Sequence, residues 1–129
     1  MKEELPNKHR LPGEYFLDAE GSKVHYFEEG EGKPLVLVHG WLGSSAFGFK
    51  HVIPGLAEHY QVIAPDLPGF GETEELKGKH TIETYVDFLR GFIEKKRLTK
   101  ISLVGVSFGG AVCLRFAQKY PMYLEKLVL

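Results

Sequence analysis

The stretch from Lys100 to Tyr120 constrains the fold of this chain more than any other. Ile101 to Val106 is an apolar run of strand length, and Ala111 to Tyr120 reads as a helix. Between them stands Gly105-Val106-Ser107-Phe108-Gly109-Gly110, a G-x-S-x-G pattern. A serine on such a strand–turn–helix is a nucleophile elbow: the turn strains its backbone and lifts Oγ clear of the sheet edge. Side chains two residues to either side would collide with the turn, so the geometry demands Gly105 and Gly109. The bare pattern recurs by chance, and a structural Gly/Ser turn is the plain alternative. The flanking strand and helix favour a nucleophilic Ser107. A phosphate-binding loop would need a Gly-Lys-Ser/Thr that does not follow, and a dinucleotide fingerprint would have glycine at position 107.

A serine nucleophile needs a general base, and the base needs an acid to orient it. With an elbow of this kind the acid and then the histidine follow the serine along the chain. After Ser107 comes one acid, Glu125, and no histidine; His9, His25, His39, His51, His59 and His80 all precede it. Lys126-Leu127-Val128-Leu129 reads as a strand cut off in its middle. The expectation is therefore half of an active site, with the triad acid and histidine lying beyond Leu129.

Composition narrows the setting. The chain has 129 residues, 43% hydrophobic and 26% charged, as ordinary globular proteins do. Single α/β domains often run to about 200–250 residues, so this length suits a small or partial one. A net charge of −1 supplies no basic field for nucleic acid and no polybasic patch for anionic lipid. The single Cys113 cannot form an internal disulfide. No signal-peptide core and no apolar run of membrane-spanning length is present, which makes a cytoplasmic setting the default expectation.

Residues 1–12 are polar with two prolines and are expected to form a flexible lead-in to a unit spanning 13–129. Glu14–Leu17 and Lys23–Phe27 are β-prone runs around a turn-rich Asp18–Ser22, which predicts an antiparallel hairpin. Leu35–Val38 and Gln61–Ala64 read as buried strands, the second ended by Pro65. A helix is expected within Phe47–His59, irregular at Pro54-Gly55. Thr81 can cap a longer one whose Ile82, Tyr85, Val86, Leu89 and Ile93 recur at helical spacing. Glu83 near its start and Lys95-Lys96-Arg97 at its end suit the helix dipole. The predicted class is α/β, with a mostly parallel sheet flanked by helices and begun by an antiparallel hairpin.

Ligands in open α/β sheets bind beyond the carboxyl ends of the strands. The first loop there, His39-Gly40-Trp41-Leu42-Gly43-Ser44-Ser45, is a candidate oxyanion loop. Acyl transfer needs pre-placed N–H donors. One would be the amide of Phe108 after the nucleophile, the other that of Trp41, aimed by the tight turn at Gly40. A plain glycine turn with a packed aromatic is the competing reading. In Asp66-Leu67-Pro68-Gly69-Phe70-Gly71-Glu72-Thr73, Asp66 precedes the serine; its expected role is structural, accepting hydrogen bonds from amides of its own turn. His39 is likewise expected to order its turn rather than act as base. Cys113, between Val112 and Leu114, reads as core.

Together, His39-Gly40-Trp41-Leu42-Gly43, Asp66-Leu67-Pro68-Gly69-Phe70-Gly71 and Gly105-Val106-Ser107-Phe108-Gly109-Gly110 resemble the α/β-hydrolase superfamily, in family order and over nearly the whole chain. The match is specific for the superfamily and poorly specific for substrate. It looks like small-molecule carboxylesterases, with carbon–carbon bond hydrolases close by. Haloalkane dehalogenases and epoxide hydrolases fit less well, because their nucleophile is usually Asp where this chain has Ser107. The resemblance implies attack on a small-molecule ester by serine, an acyl-enzyme, and no metal or cofactor. It also implies that the remaining strands, the cap and the rest of the triad lie beyond Leu129, so that this chain would be inactive alone. Its expected partners are then the missing C-terminal half or another copy of itself. A non-catalytic α/β binding or assembly module is the competing class.

Overall fold

The structure, a computed structural model, describes residues 3–4, 13–19, 21–41 and 43–129, the side chains of 3, 4, 46 and 47 excepted. Its strands are β1 (Glu3–Glu4), β2 (Glu14–Ala19), β3 (Ser22–Glu29), β4 (Lys33–Val38), β5 (Tyr60–Pro65), β6 (Ile101–Gly105) and β7 (Leu124–Val128). Its helices are α1 (Ser45–Phe49), α2 (Ile53–Leu56), α3 (Ile82–Lys95) and α4 (Phe108–Lys119), with a 3₁₀ turn at Pro121–Tyr123. Among the described residues the sheet order is β1-β2-β3-β5-β4-β6-β7. The lead-in expected over residues 1–12 lies outside the described residues, apart from Glu3–Glu4, which pair with Phe16 and Tyr15. Leu42 lies outside them as well.

The expected hairpin is present, in register from Glu14↔Phe27 to Ala19↔Ser22, with Gly21 taking a positive φ of 83° at its tip. β3 then runs antiparallel to β5. From β5 onward the sheet is parallel: β4 lies between β5 and β6, and β7 follows β6. Parallel strands direct their carboxyl ends to one edge, so the loops after β4, β5 and β6 open there together.

Alternation along β4 builds a core on each face. Val36 and Val38 join a cluster with Val86, Leu89 and Phe92 of α3 and Val112 and Phe116 of α4. Leu35 and Leu37 face the other way, toward Phe49 and Ile53. This is why β4 is apolar on both sides, as a buried parallel strand must be. α3 starts as the sequence predicts: Thr81 Oγ1 accepts from the Thr84 amide at 3.2 Å, and Thr84 Oγ1 accepts from the Thr81 amide at 2.8 Å. The helix expected within 47–59 is two short pieces. Pro54 stands in the first turn of α2, where a missing N–H breaks no helical bond. α4 begins at Phe108, three residues before the sequence-based expectation.

Leu89 is fully buried between α3 and the sheet. Leu89→Ala is expected to destabilise the fold by about 2–5 kcal/mol. Urea unfolding of the two proteins side by side measures this; a loss below about 1 kcal/mol would contradict the packing described.

Candidate active site

β6 delivers the chain to Val106, and α4 starts immediately beyond Ser107. The sharp reversal places Ser107 at φ 54°, ψ −118°, a conformation that L residues other than glycine rarely adopt. Both motif glycines are needed by contact. A Cβ on Gly105 would stand 2.6 Å from the Gly109 carbonyl oxygen, and one on Gly109 would stand 2.2 Å from the carbonyl oxygen of Val38. The helix start is thus pressed against the end of β4. The Val106 amide donates to the Val38 carbonyl at 3.1 Å and fixes the elbow on that strand. Ser107 is exposed and makes no capping bond to its own helix. Phe108 is the first residue of α4, where an amide has no acceptor within the helix.

The loop after β4 lies against this turn. A Cβ on Gly40 would be 3.3 Å from the Val106 carbonyl oxygen and 3.4 Å from Ser107 Cβ, which puts its backbone beside the nucleophile candidate. The Gly40 carbonyl accepts from His39 Nδ1 at 2.8 Å and from the Gly43 amide at 3.2 Å. The Gly40 carbonyl and the Trp41 N–H belong to one planar trans peptide and point in opposite directions. Holding the carbonyl therefore aims the amide. His39 is itself fixed, since its Nε2 accepts the Leu67 amide at 2.9 Å. With Nδ1 donating and Nε2 accepting, the ring is the neutral Nδ1–H tautomer, and burial holds its pKa below the ordinary value. Neither nitrogen is left to take a proton from Ser107. The Trp41 indole is 57% exposed and packs edge-on to Phe70 and Phe108, with centroids at 5.2 and 5.1 Å. All three loops thus meet beside Ser107.

In the loop after β5, Asp66 is buried. Its Oδ2 accepts from the Glu72 amide at 3.0 Å, within its own turn, and faces His25 Nδ1 at 2.6 Å. Its Oδ1 accepts from both the amide and the hydroxyl of Ser45, at 2.7 and 2.6 Å. Gly71 takes φ 53° and has no room for a side chain, because a Cβ there would stand 2.1 Å from Asp66 Oδ2.

A family model described as the alpha/beta hydrolase fold matches residues 33–129. The chain belongs to the alpha/beta hydrolase family. It is 41% identical over 114 residues to a 2-hydroxy-6-oxo-2,4-heptadienoate hydrolase of Pseudomonas putida, covering 86% of this chain and 41% of that protein. It is 36% identical over 109 residues to a soluble epoxide hydrolase of a Corynebacterium species, covering 84% of this chain and 38% of that one. Among solved structures it resembles a meta-cleavage product hydrolase from Pseudomonas fluorescens, at TM-score 0.84 and 31% identity over 88% of this chain and 43% of that chain. The chain spans about two fifths of the length of the curated relatives it matches.

In this alpha/beta hydrolase chain, sequence reasoning placed Ser107, Trp41, Phe108 and Asp66 at one sheet edge and missed His25, Glu14 and Ser45. Each of the three sits in an unremarkable local context, and His25 meets Asp66 across 41 residues of chain. His25 is 3% exposed, and its Nε2 faces Glu14 Oε1 at 2.5 Å, while Nδ1 faces Asp66. Burial opposes its charge, but the bonds and charges of Asp66 and Glu14 outweigh that and raise its pKa. Asp66 is the mirror case: burial opposes ionisation, and the bonds from His25, Ser45 and Glu72 lower its pKa. Glu72 Oε2 lies 3.5 Å from His25 Nε2, and partial burial with the neighbouring Glu14 raises its pKa.

Glu14, His25 and Glu72 offer donor atoms all within 4.8 Å of one another, the one group of metal-binding type among the described residues. Both His25 nitrogens face carboxylate oxygens, so the imidazolium is itself the cation of this cluster. Burial pushes the Cys113 thiol up to about 12, far from a reactive thiolate. No described helix is long and apolar enough to cross a membrane.

His25 predicts a pH signature. Its folded pKa is raised above the ordinary 6.5, so its stabilisation is complete below that value and is lost as pH rises through the folded pKa. Asp66 has a lowered folded pKa, so its contribution is present above the ordinary 3.8 and is lost as pH falls through the folded value. The stability gap between the parent and His25→Gln should be widest between about pH 4 and 6.5 and should narrow on the alkaline side. Urea titrations at a series of pH values measure it; a gap that widens above pH 7 would contradict the assignment.

Proposed function

We propose that the whole protein carrying this chain is a serine hydrolase in which Ser107 attacks a carbonyl carbon of a small-molecule substrate. The observation that carries the reading is Ser107 at φ 54° between two glycines with no room for a Cβ, next to the Gly40–Trp41 peptide. On this reading Ser107 Oγ adds to the carbonyl, and the amides of Trp41 and Phe108 hold the resulting oxyanion. The leaving group departs as an alcohol, and water then releases the acid from the acyl-enzyme. On this reading the base and its orienting acid belong to the rest of the protein, since the chain spans about two fifths of its relatives' length and His25 and His39, near the site, are both engaged. Catalysis of this kind uses neither metal nor cofactor.

Small carboxylic esters suit this chemistry. A second reading is favoured by the relatives. The substrate in the name of the Pseudomonas putida relative carries a 6-oxo group, a ketone with carbon on both sides, so hydrolysis there breaks a carbon–carbon bond. The same nucleophile and oxyanion donors would serve such a substrate.

In the whole protein, Ser107→Ala is expected to lower kcat by up to roughly 10⁶-fold with KM little changed. Trp41→Phe keeps the backbone amide and should cost far less. Steady-state kinetics on p-nitrophenyl acetate and on a 2-hydroxy-6-oxo-2,4-dienoate, run in parallel, test the nucleophile and choose between the two substrate classes. Full activity in Ser107→Ala would overturn the reading.

The 129-residue chain by itself should turn over p-nitrophenyl acetate at close to the buffer rate, because on this reading the base for Ser107 belongs to the rest of the protein and the nearby His39 has both ring nitrogens engaged. An enzyme-like rate that disappears in Ser107→Ala would show that an upstream histidine serves as the base.

A further inference from the structure

The loop that carries the Trp41 amide is pinned at both ends to two adjacent residues of the loop after β5. At its start His39 Nε2 accepts the amide of Leu67. At its end Ser45 gives both its amide and its hydroxyl to Asp66 Oδ1. The first pin acts directly, through His39 Nδ1 on the Gly40 carbonyl. The second acts through Gly43, two residues before Ser45, whose amide donates to that same carbonyl at 3.2 Å. Because the Gly40 carbonyl and the Trp41 N–H share one rigid plane, displacement of either pin swings the amide.

We propose that Asp66, acting through Ser45, is a positioning residue that sets the direction of the Trp41 amide toward the reacting carbonyl at Ser107. The proposal rests on the reading of Ser107 as nucleophile and the Trp41 amide as oxyanion donor. Asp66 is suited to the task because its two oxygens are divided. Oδ2 is held by His25 and the Glu72 amide, which anchors the carboxylate to β3 and to its own turn. Oδ1 is used by Ser45, so a rigid, ionised acceptor stands at the end of the loop. Ser45 and Asp66 are both buried, so water does not compete for these bonds. Neither residue touches the reacting atoms. Their effect belongs to the transition state, where the oxyanion forms, rather than to substrate binding.

The decisive experiment compares Ser45→Ala with the parent in the whole protein, using p-nitrophenyl acetate kinetics, the rate of phosphonate labelling at Ser107, and thermal unfolding. Ser45→Ala keeps the amide bond to Asp66 and removes only the hydroxyl. The expected result is a fall in kcat of about 10–10²-fold with KM within about threefold, since outright loss of an oxyanion donor typically costs ~10²–10³-fold. Phosphonate labelling should slow in parallel, because its tetrahedral adduct presents an oxygen to the same donors. Ser45→Cys retains the side-chain shape with a weaker donor and should fall between the two; it carries the test if Ser45→Ala does not fold. A lowered melting temperature with kcat within twofold of the parent, or a raised KM with unchanged kcat, would overturn the positioning role while Ser107 is still labelled. Failure of the nucleophile reading is separately visible, as full activity in Ser107→Ala, and overturns both.

Discussion

The close approach of α4 to the end of β4 governs the remaining geometry of the site. Gly109 has no room for a Cβ against the Val38 carbonyl, and Gly105 has none against Gly109. Two backbones can meet at that distance only through glycine. Once they meet, the residue between β6 and the helix has no choice but a positive φ, and its side chain points out of the sheet. The strain at Ser107 is thus imposed by packing on both sides of it, and the surrounding core, with Val38 and Val112 buried nearby, keeps it there.

The second constraint is electrostatic. A carboxylate buried as deeply as Asp66 needs full hydrogen bonding and a nearby positive charge. It has both: amides from two loops, one hydroxyl, and the imidazolium of His25. His25 in turn is held between Asp66 and Glu14, so β2, β3, the loop after β5 and the start of α1 meet in one polar knot beneath the site. Removing one member would leave a buried charge without its partner, which costs more than the pair contributes when intact. The knot thereby ties these four segments to one another through bonds that none of them makes alone.

Much of this was legible in the sequence. β4, β5 and β6 are short apolar runs bounded by turn residues, and α3 has helical spacing behind a capping threonine; burial on one or both faces leaves such marks. The elbow and the two loops that meet it were legible because glycine requirements at fixed offsets are written locally. The first turn of α4 was not, since Gly109 and Gly110 are poor helix formers placed there by contact rather than by propensity. The split between α1 and α2 was visible only as an expected irregularity at Pro54-Gly55. Asp66 was legible as an acceptor in its own glycine-rich turn, but its bonds to His25 and Ser45 left no local signal, because they join three distant segments. His39 shows the limit from the other direction: its place beside a glycine turn is readable, whereas its tautomer and its bond to Leu67 exist only in three dimensions.

The most direct test of the account is a crystal structure of the whole protein after reaction with an active-site phosphonate. The expected result is a covalent bond from Ser107 Oγ to phosphorus, with one phosphonyl oxygen about 2.7–3.1 Å from the amide nitrogens of both Trp41 and Phe108. An adduct on another residue, or a phosphonyl oxygen with the Trp41 amide turned away from it, would contradict the account.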